Sequence, residues 1–141
     1  MITYQHDLTG VVEDGLEGFF EGWPTHPSSA DHLRLLRQSD LISLAIDGDQ
    51  VVGFATAITD GVLAASVPLL EVRAAYRGSG VGTELVRRLM AQLDEMYMVD
   101  LSCDEELVSF YERFGMRRAV AMIHRNYAAQ AGRSARPDLD T

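Results

Sequence analysis

LLEVRAAYRGSGVGTELV (residues 69–86) is the stretch on which the reading of this chain turns. An apolar, strand-like run through Leu70, Glu71 and Val72 leads into Arg77-Gly78-Ser79-Gly80-Val81-Gly82, and the glycines open directly onto a helical pattern. That helix is predicted over about 80–95, with Val81, Leu85, Leu89, Leu93 and Met96 on one face. A helix start leaves several backbone N–H groups unpaired, and the aligned peptide dipoles add partial positive charge there. Glycines let an anion approach the backbone closely. Arg77 supplies a cation that can reach phosphate oxygens. Strand, glycine loop and helix together make a plausible cradle for a diphosphate, or a glycine turn that binds nothing.

The flanking sequence sets the architecture. Upstream, Leu41–Ile46, Val51–Thr59 and Val62–Arg73 read as strands, the last interrupted near Pro68. Asp47-Gly48-Asp49 and Asp60-Gly61 are tight-turn signals between them, so the three strands form an antiparallel meander. Before the meander, residues 11–23 read as a weak helix through Val12, Leu16, Phe19 and Trp23, thinned by glycines. Ser28, Ser29 and Asp31 offer caps for a second helix, about 29–38. Downstream, Met98–Cys103 reads as a short strand. Asp104 reads as the N-cap of a helix that ends at Gly115, and Arg118–Tyr127 as a last strand. A strand, a crossover helix and a further strand imply a parallel pair inside an otherwise antiparallel sheet. The expected fold class is therefore α/β with a mixed sheet, as one domain over 1–127, followed by a solvated tail at 128–141.

Composition narrows the chemistry. The chain has 141 residues, 47% hydrophobic and 23% charged, which is the balance of a globular domain. No apolar run approaches the roughly 18–20 residues of a membrane span, and Met1 to Gly10 carries no secretory pattern. All 12 basic residues are arginine. Without lysine there is no Schiff base and no Walker phosphate loop. The glycine spacing G-x-G-x-G, placed after a meander, also departs from the dinucleotide fingerprint. Cys103 is the single cysteine, which fits a reducing, cytoplasmic setting and excludes a multi-cysteine zinc site. The histidines show no metal-binding spacing, so no metal is expected.

The net charge of −9 disfavours nucleic acid and anionic membrane as partners. The charge is also blocked. Residues 94–112 hold seven acids and no arginine, whereas residues 113–125 hold four arginines and no acid. Such blocks are solvated surface, or a local anion site in a field that attracts cations.

Arg77, Gly80 and Gly82 fill the defined places of the motif Q/R-x-x-G-x-G/A, and Phe110-Tyr111-Glu112-Arg113-Phe114-Gly115-Met116 follows 33 residues later. The pair resembles the two signature segments of the GNAT superfamily of N-acetyltransferases, with Met116 where the second segment often ends in phenylalanine. The resemblance covers Val51 to Tyr127. It implies a GNAT fold and a cytoplasmic enzyme moving an acetyl group from acetyl-CoA, its cosubstrate, to a primary amine. In such proteins the pantetheine arm pairs with the strand end, here Leu70 and Val72. The pyrophosphate lies against Arg77, Gly78, Ser79, Gly80, Val81, Gly82 and Thr83. The resemblance gives Tyr111 the role of general acid at the departing sulfur. It makes Glu71, on the strand face opposite Leu70 and Val72, a candidate base. A homodimer with the last strand as a contact edge is a further implication.

The acceptor is not named by any motif, although the acidic field favours a cationic amine. Phe19, Phe20 and Trp23 are candidates for its wall or for plain core. Cys103 reads as a small buried residue rather than a nucleophile, Asp104 as a cap, and His124 as structural. A non-catalytic acyl-CoA-binding domain is the alternative.

Overall fold

Apolar alternation and two tight turns fold the middle of the chain into strands, and the first and last strands join at the sheet edges. The computed structural model describes residues 1–133. The strands are β1 (Ile2–Gln5), β2 (Leu41–Asp47), β3 (Gln50–Thr59), β4 (Ala64–Val72) and β5 (Met98–Asp100), side by side in that order. The first four are antiparallel, and β4 with β5 is the parallel pair that the crossover predicts. The helices are α1 (Ser29–Gln38), α2 (Val81–Gln92) and α3 (Val108–Glu112). This is the mixed α/β architecture expected from the sequence. The β2–β3 hairpin closes at Asp47 opposite Gln50, with Gly48 at φ 62°. Opposite Ala57 the register slips, so that Val67 and Pro68 face one residue of β3. Proline is tolerated in such a bulge because the ladder is already interrupted there.

Helices cover both faces of the sheet. On one, Leu36 of α1 with Leu16, Phe19 and Phe20 packs on Ile42, Leu44, Val51 and Phe54. Burying a phenylalanine as completely as Phe54 contributes about 1.5–3 kcal/mol. His32 lies within the same cluster, its ring 4.4 Å from that of Phe54. Burial pushes its imidazole down to about 4, so it is neutral. On the other face, α2 lays Val81, Leu85 and Leu89 over Ala45, Val52 and Ala55. The small strand residues bring the helix close: a Cβ on Gly53 would stand 2.8 Å from the Leu85 Cδ1.

Several expectations are corrected. Residues 11–23 contain only a 3₁₀ turn, Glu13–Leu16, because Gly18 and Gly22 take positive φ and break the helical period. Val12 is exposed, while Phe19 and Phe20 reach the core from irregular backbone. β1 had no signal, since Ile2–Gln5 is too short to display an alternation. Asp104 makes no side-chain cap, and a 3₁₀ turn at Glu105–Leu107 precedes α3. Cys103 is exposed rather than buried. Arg118–Tyr127 joins no sheet, and His124 is exposed within it. The described part of the expected solvated tail, residues 128–133, is exposed apart from a half-buried Gln130, and it makes a few contacts. Tyr127–Ala129 forms a 3₁₀ turn, and the Arg133 carbonyl accepts from Arg34. Residues 134–141 lie outside the described residues.

Candidate active site

The parallel pair separates almost as soon as it forms. Only Ala64–Ser66 pairs with Met98–Asp100, and β4 then continues to Val72 with β3 as its one strand partner. The divergence opens a cleft along the free edge of β4. A cavity of about 300 Å³ lies there, bordered by Leu70, Glu71, Glu21, Trp23 and Arg77. Leu70 and Val72 turn toward α2 while Glu71 faces the cavity, as strand alternation requires.

β4 feeds the glycine loop. After a 3₁₀ turn at Ala74–Tyr76, Gly78 and Gly80 adopt φ of 80° and 89°, and Gly80 caps α2 with no side chain to cover the helix start. A Cβ at either glycine would meet nothing within 4 Å, so these positions need glycine for conformation rather than space. The first backbone bond of α2 is Glu84 N–H to the Gly80 carbonyl, leaving the amides of Val81, Gly82 and Thr83 free of intrahelical partners. The loop is braced from behind: the Tyr76 hydroxyl donates to Asp47 at 2.6 Å, and the Ser79 hydroxyl to the Tyr76 carbonyl at 2.7 Å. Arg77 does not reach over the loop. Its Nε donates to the Val72 carbonyl at 2.9 Å, and its guanidinium pairs with Glu21 at 3.2 Å, across the mouth of the cleft.

The second signature segment docks on the first. A Cβ on Gly82 would lie 3.7 Å from Val72 and 3.8 Å from the Phe110 ring, so the helix start, strand end and Phe110 meet at one point. Arg113 lies over the Phe110 ring at 4.8 Å and donates to the Thr83 hydroxyl at 3.0 Å. Tyr111 beside it is buried. Burial, with Cys103 nearby, pushes its phenol up to about 12, so it keeps its proton at any working pH.

Opposite this assembly stands the loop that follows the first 3₁₀ turn. The Phe20 N–H donates to both Glu71 carboxylate oxygens, at 2.8 and 3.0 Å. Phe20 is the one non-glycine residue with positive φ, 64°, among those described. Burial raises the Glu71 pKa, opposed by hydrogen bonds from the Phe20 and Glu21 backbone and by Arg77. Glu71 thus pins a strained loop and presents a carboxyl to the cavity. Of the aromatic candidates, Phe19 and Phe20 are core, and Trp23 lines the cavity. Glu21 escaped the sequence reading. It sits in an aperiodic loop, and nothing local marks it as facing Arg77.

Among the described residues no group of three or more histidine, cysteine or acidic side chains could hold a metal, and no helix is long and apolar enough to cross a membrane.

Residues 8–116 match the acetyltransferase (GNAT) family. A provisionally named acetyltransferase of Deinococcus radiodurans R1 has a crystal structure that superposes with a TM-score of 0.93 at 50% identity, over 95% of this chain and 94% of that one. A GNAT-family acetyltransferase of Streptococcus pneumoniae TIGR4 superposes at 0.72 and 30% identity, over 89% and 98%. An uncharacterized N-acetyltransferase of Pyropia yezoensis is 29% identical over 99 residues, 67% of this chain. The matched stretch is 57% of that relative's own length.

Proposed function

The chain belongs to the acetyltransferase (GNAT) family, and we propose that it moves the acetyl group of acetyl-CoA to a primary amine by direct attack. The observation that carries this reading is the convergence of the free β4 edge, the uncovered start of α2 and the Phe110–Tyr111 segment at one end of the cleft. The exposed edge at Leu70 and Val72 accepts the pantetheine amides. The loop of Arg77, Gly78, Ser79, Gly80, Val81, Gly82 and Thr83 receives the pyrophosphate on its N–H groups. For that, Arg77 has to leave the Val72 carbonyl, which lies on the edge where the pantetheine pairs.

The amine nitrogen attacks the thioester carbonyl carbon, the carbonyl oxygen takes the charge, and the C–S bond then breaks. Glu71, its pKa raised by burial, takes the proton from the amine, directly or through a water. Tyr111 supports the sulfur as a hydrogen-bond donor. A phenol near 12 loses its proton reluctantly to a thiolate whose ordinary value is about 8.5. Its contribution is therefore greatest as a short bond to the leaving sulfur, with the proton passing over late. The rest is positioning. The acceptor is a cationic amine, small or on a protein, because Glu21 and Glu71 face the cavity beside the flat surface of Trp23. The overall acidity argues against nucleic acid or an anionic membrane as partner, and the cytoplasm, where acetyl-CoA is made and thiols stay reduced, is the fitting location.

Calorimetric titration with acetyl-CoA, with ATP and NAD as controls, tests the cradle, and turnover on a panel of amines tests the transfer. Micromolar binding of acetyl-CoA alone together with acetylation of a cationic amine is the expected result. A folded protein that binds no acetyl-CoA overturns the reading. Binding with no turnover on any amine replaces it with an acyl-CoA-binding domain.

A further inference from the structure

The loop that Glu71 pins has two sides, and the cleft takes only one of them. Behind it, between the 3₁₀ turn at Glu13–Leu16 and the start of α1, lies a second cavity of about 300 Å³. The two cavities share no lining residue. Phe20 stands between them: its N–H donates to Glu71, which borders the cleft, while Phe20 itself lines the rear cavity.

The rear cavity has a polar group on its wall that the chain leaves unpaired. His32 is 1% exposed, and neither of its ring nitrogens makes a hydrogen bond. The Leu16 carbonyl acts on its pKa but lies outside hydrogen-bond geometry. The neighbouring rings of Phe19, Phe20 and Phe54 offer no conventional partner. A buried polar group without a partner is costly, and native proteins rarely leave one so. Because burial keeps the imidazole neutral, it presents one N–H donor and one bare nitrogen.

The surroundings give this cavity its sign. Ser28 and Ser29 of the α1 start line it. The Ser28 hydroxyl is spent on the Asp31 N–H, so the amides of Ser29 and Ala30 stay without a partner in the helix, at its positive end. Arg73 lies directly behind Gly18, another wall residue, where a Cβ would stand 3.3 Å from its Nη1. That guanidinium is held by neutral oxygens alone, of Gly15, Gln50 and Val51, with no carboxylate in ion-pair contact among the described residues. Glu17 is the one acid on the wall, and it is exposed to solvent. Leu16, Phe20 and Pro27 make the rest of the wall apolar. A small, mostly apolar cavity with a few converging polar groups is the usual form of a ligand site.

We propose that the rear cavity is a second ligand site, built for a small carboxylate with an apolar body. One carboxylate oxygen accepts from the His32 ring N–H and the other from the amides that open α1, and the body lies against Leu16, Phe20 and Pro27. An inorganic anion lacks that body, and an uncharged amide gains nothing from the positive surroundings. Such binding needs neither acetyl-CoA nor transfer, so it stands or falls apart from the proposed reaction.

Benzoate is the probe, added to the full chain with isotope-labelled histidine rings. Of the four histidines, His32 should show a ring signal that shifts and saturates below about 10 mM benzoate, while His6 and His124 stay in place. Benzamide and inorganic phosphate should each need at least about ten times the concentration. His32→Phe keeps the ring and removes the nitrogens, and calorimetry should find benzoate about tenfold weaker or lost. Ser29→Glu sets a competing carboxylate where a helix start favours one, and should abolish binding with no fall in melting temperature. Glu17→Gln should tighten binding by about twofold or more. The proposal is overturned if the His32 signal does not saturate, which leaves the ring to water alone, or if benzamide or phosphate moves it as readily as benzoate. Undiminished binding to folded Ser29→Glu overturns it too, whether or not His32→Phe folds.

Discussion

The two walls of the cleft are made in different ways. The cradle wall, residues 69–86 with 110–115, is built of backbone: a free strand edge, two glycines in left-handed conformation and the uncovered start of α2. Its parts are close in sequence, and its chief demand on side chains is that Gly80 have none. The opposite wall, residues 17–26, is built of side chains brought from afar. Phe20 is held at φ 64° by Glu71, 51 residues away, and Glu21 by Arg77, 56 residues away. On the proposed function, the backbone device would hold a cosubstrate common to many proteins, whereas side chains on an irregular loop can change with the acceptor. The contrast predicts that damage on one wall is felt at a different substrate from damage on the other.

The largest effect belongs to Gly80→Val. It forces a branched residue into a left-handed conformation, at about 1–2 kcal/mol, and projects a side chain into the open space before α2. Acetyl-CoA affinity should fall roughly a hundredfold or more, each tenfold being about 1.4 kcal/mol. Trp23→Ala, on the other wall, should leave that affinity within about twofold and raise only the KM for the amine. Calorimetry with acetyl-CoA on both variants decides the matter. Equal losses would mean that the walls are one unit and the contrast is false.

Glu71 joins the two walls, and its variants separate pinning from proton transfer. Glu71→Gln keeps an oxygen for the Phe20 N–H but cannot take a proton. kcat/KM should fall by about 10²–10⁴-fold, and the acid limb of its pH profile should disappear. In the parent that limb rises as Glu71 ionises, with a midpoint above the ordinary carboxylate value because burial raises the pKa. A raised folded-state pKa contributes stability that is present below the unfolded value and lost as pH rises through the folded one. The glutamine variant should therefore be no less stable than the parent at neutral pH. Glu71→Ala also removes the pin, and should cost a further 1–3 kcal/mol or so in denaturant titration. A glutamine variant with full activity would leave Glu71 as a brace alone.

The same contrast explains how much was legible beforehand. The meander, α2, the parallel pair and the glycine loop that opens α2 follow from turn chemistry, period and local glycine spacing, all of which act over a few residues. The interruption near Pro68 was legible too, and in the structure it takes the form of a bulge. The loop after Leu16 was not, because its conformation is decided by Glu71 and by the aromatic cluster around Phe54, which no local pattern encodes. Residues 118–127 carry a strand-like alternation but join no sheet, since alternation alone does not supply a partner for the backbone.

The smallest effect concerns the one acid in the first turn of α2. Glu84 accepts from Arg87 and, at 2.7 Å, from Arg88, and these arginines hold its carboxyl down at about 2. A lowered folded-state pKa contributes stability present above the unfolded carboxylate value and lost as pH falls toward the folded one, so the window lies between about pH 4.5 and 2. The cluster is solvent-exposed, so at neutral pH Glu84→Gln should cost no more than about 1 kcal/mol, and less in high salt. Its effect on acetyl-CoA is the sharper question. If the cradle is a backbone device, losing this carboxylate leaves the amides untouched and removes one repulsive charge, and affinity should rise by about threefold or less. A large change in either direction would mean that side-chain charge at the head of α2 governs the diphosphate. The cradle would then be made in the same way as the wall opposite.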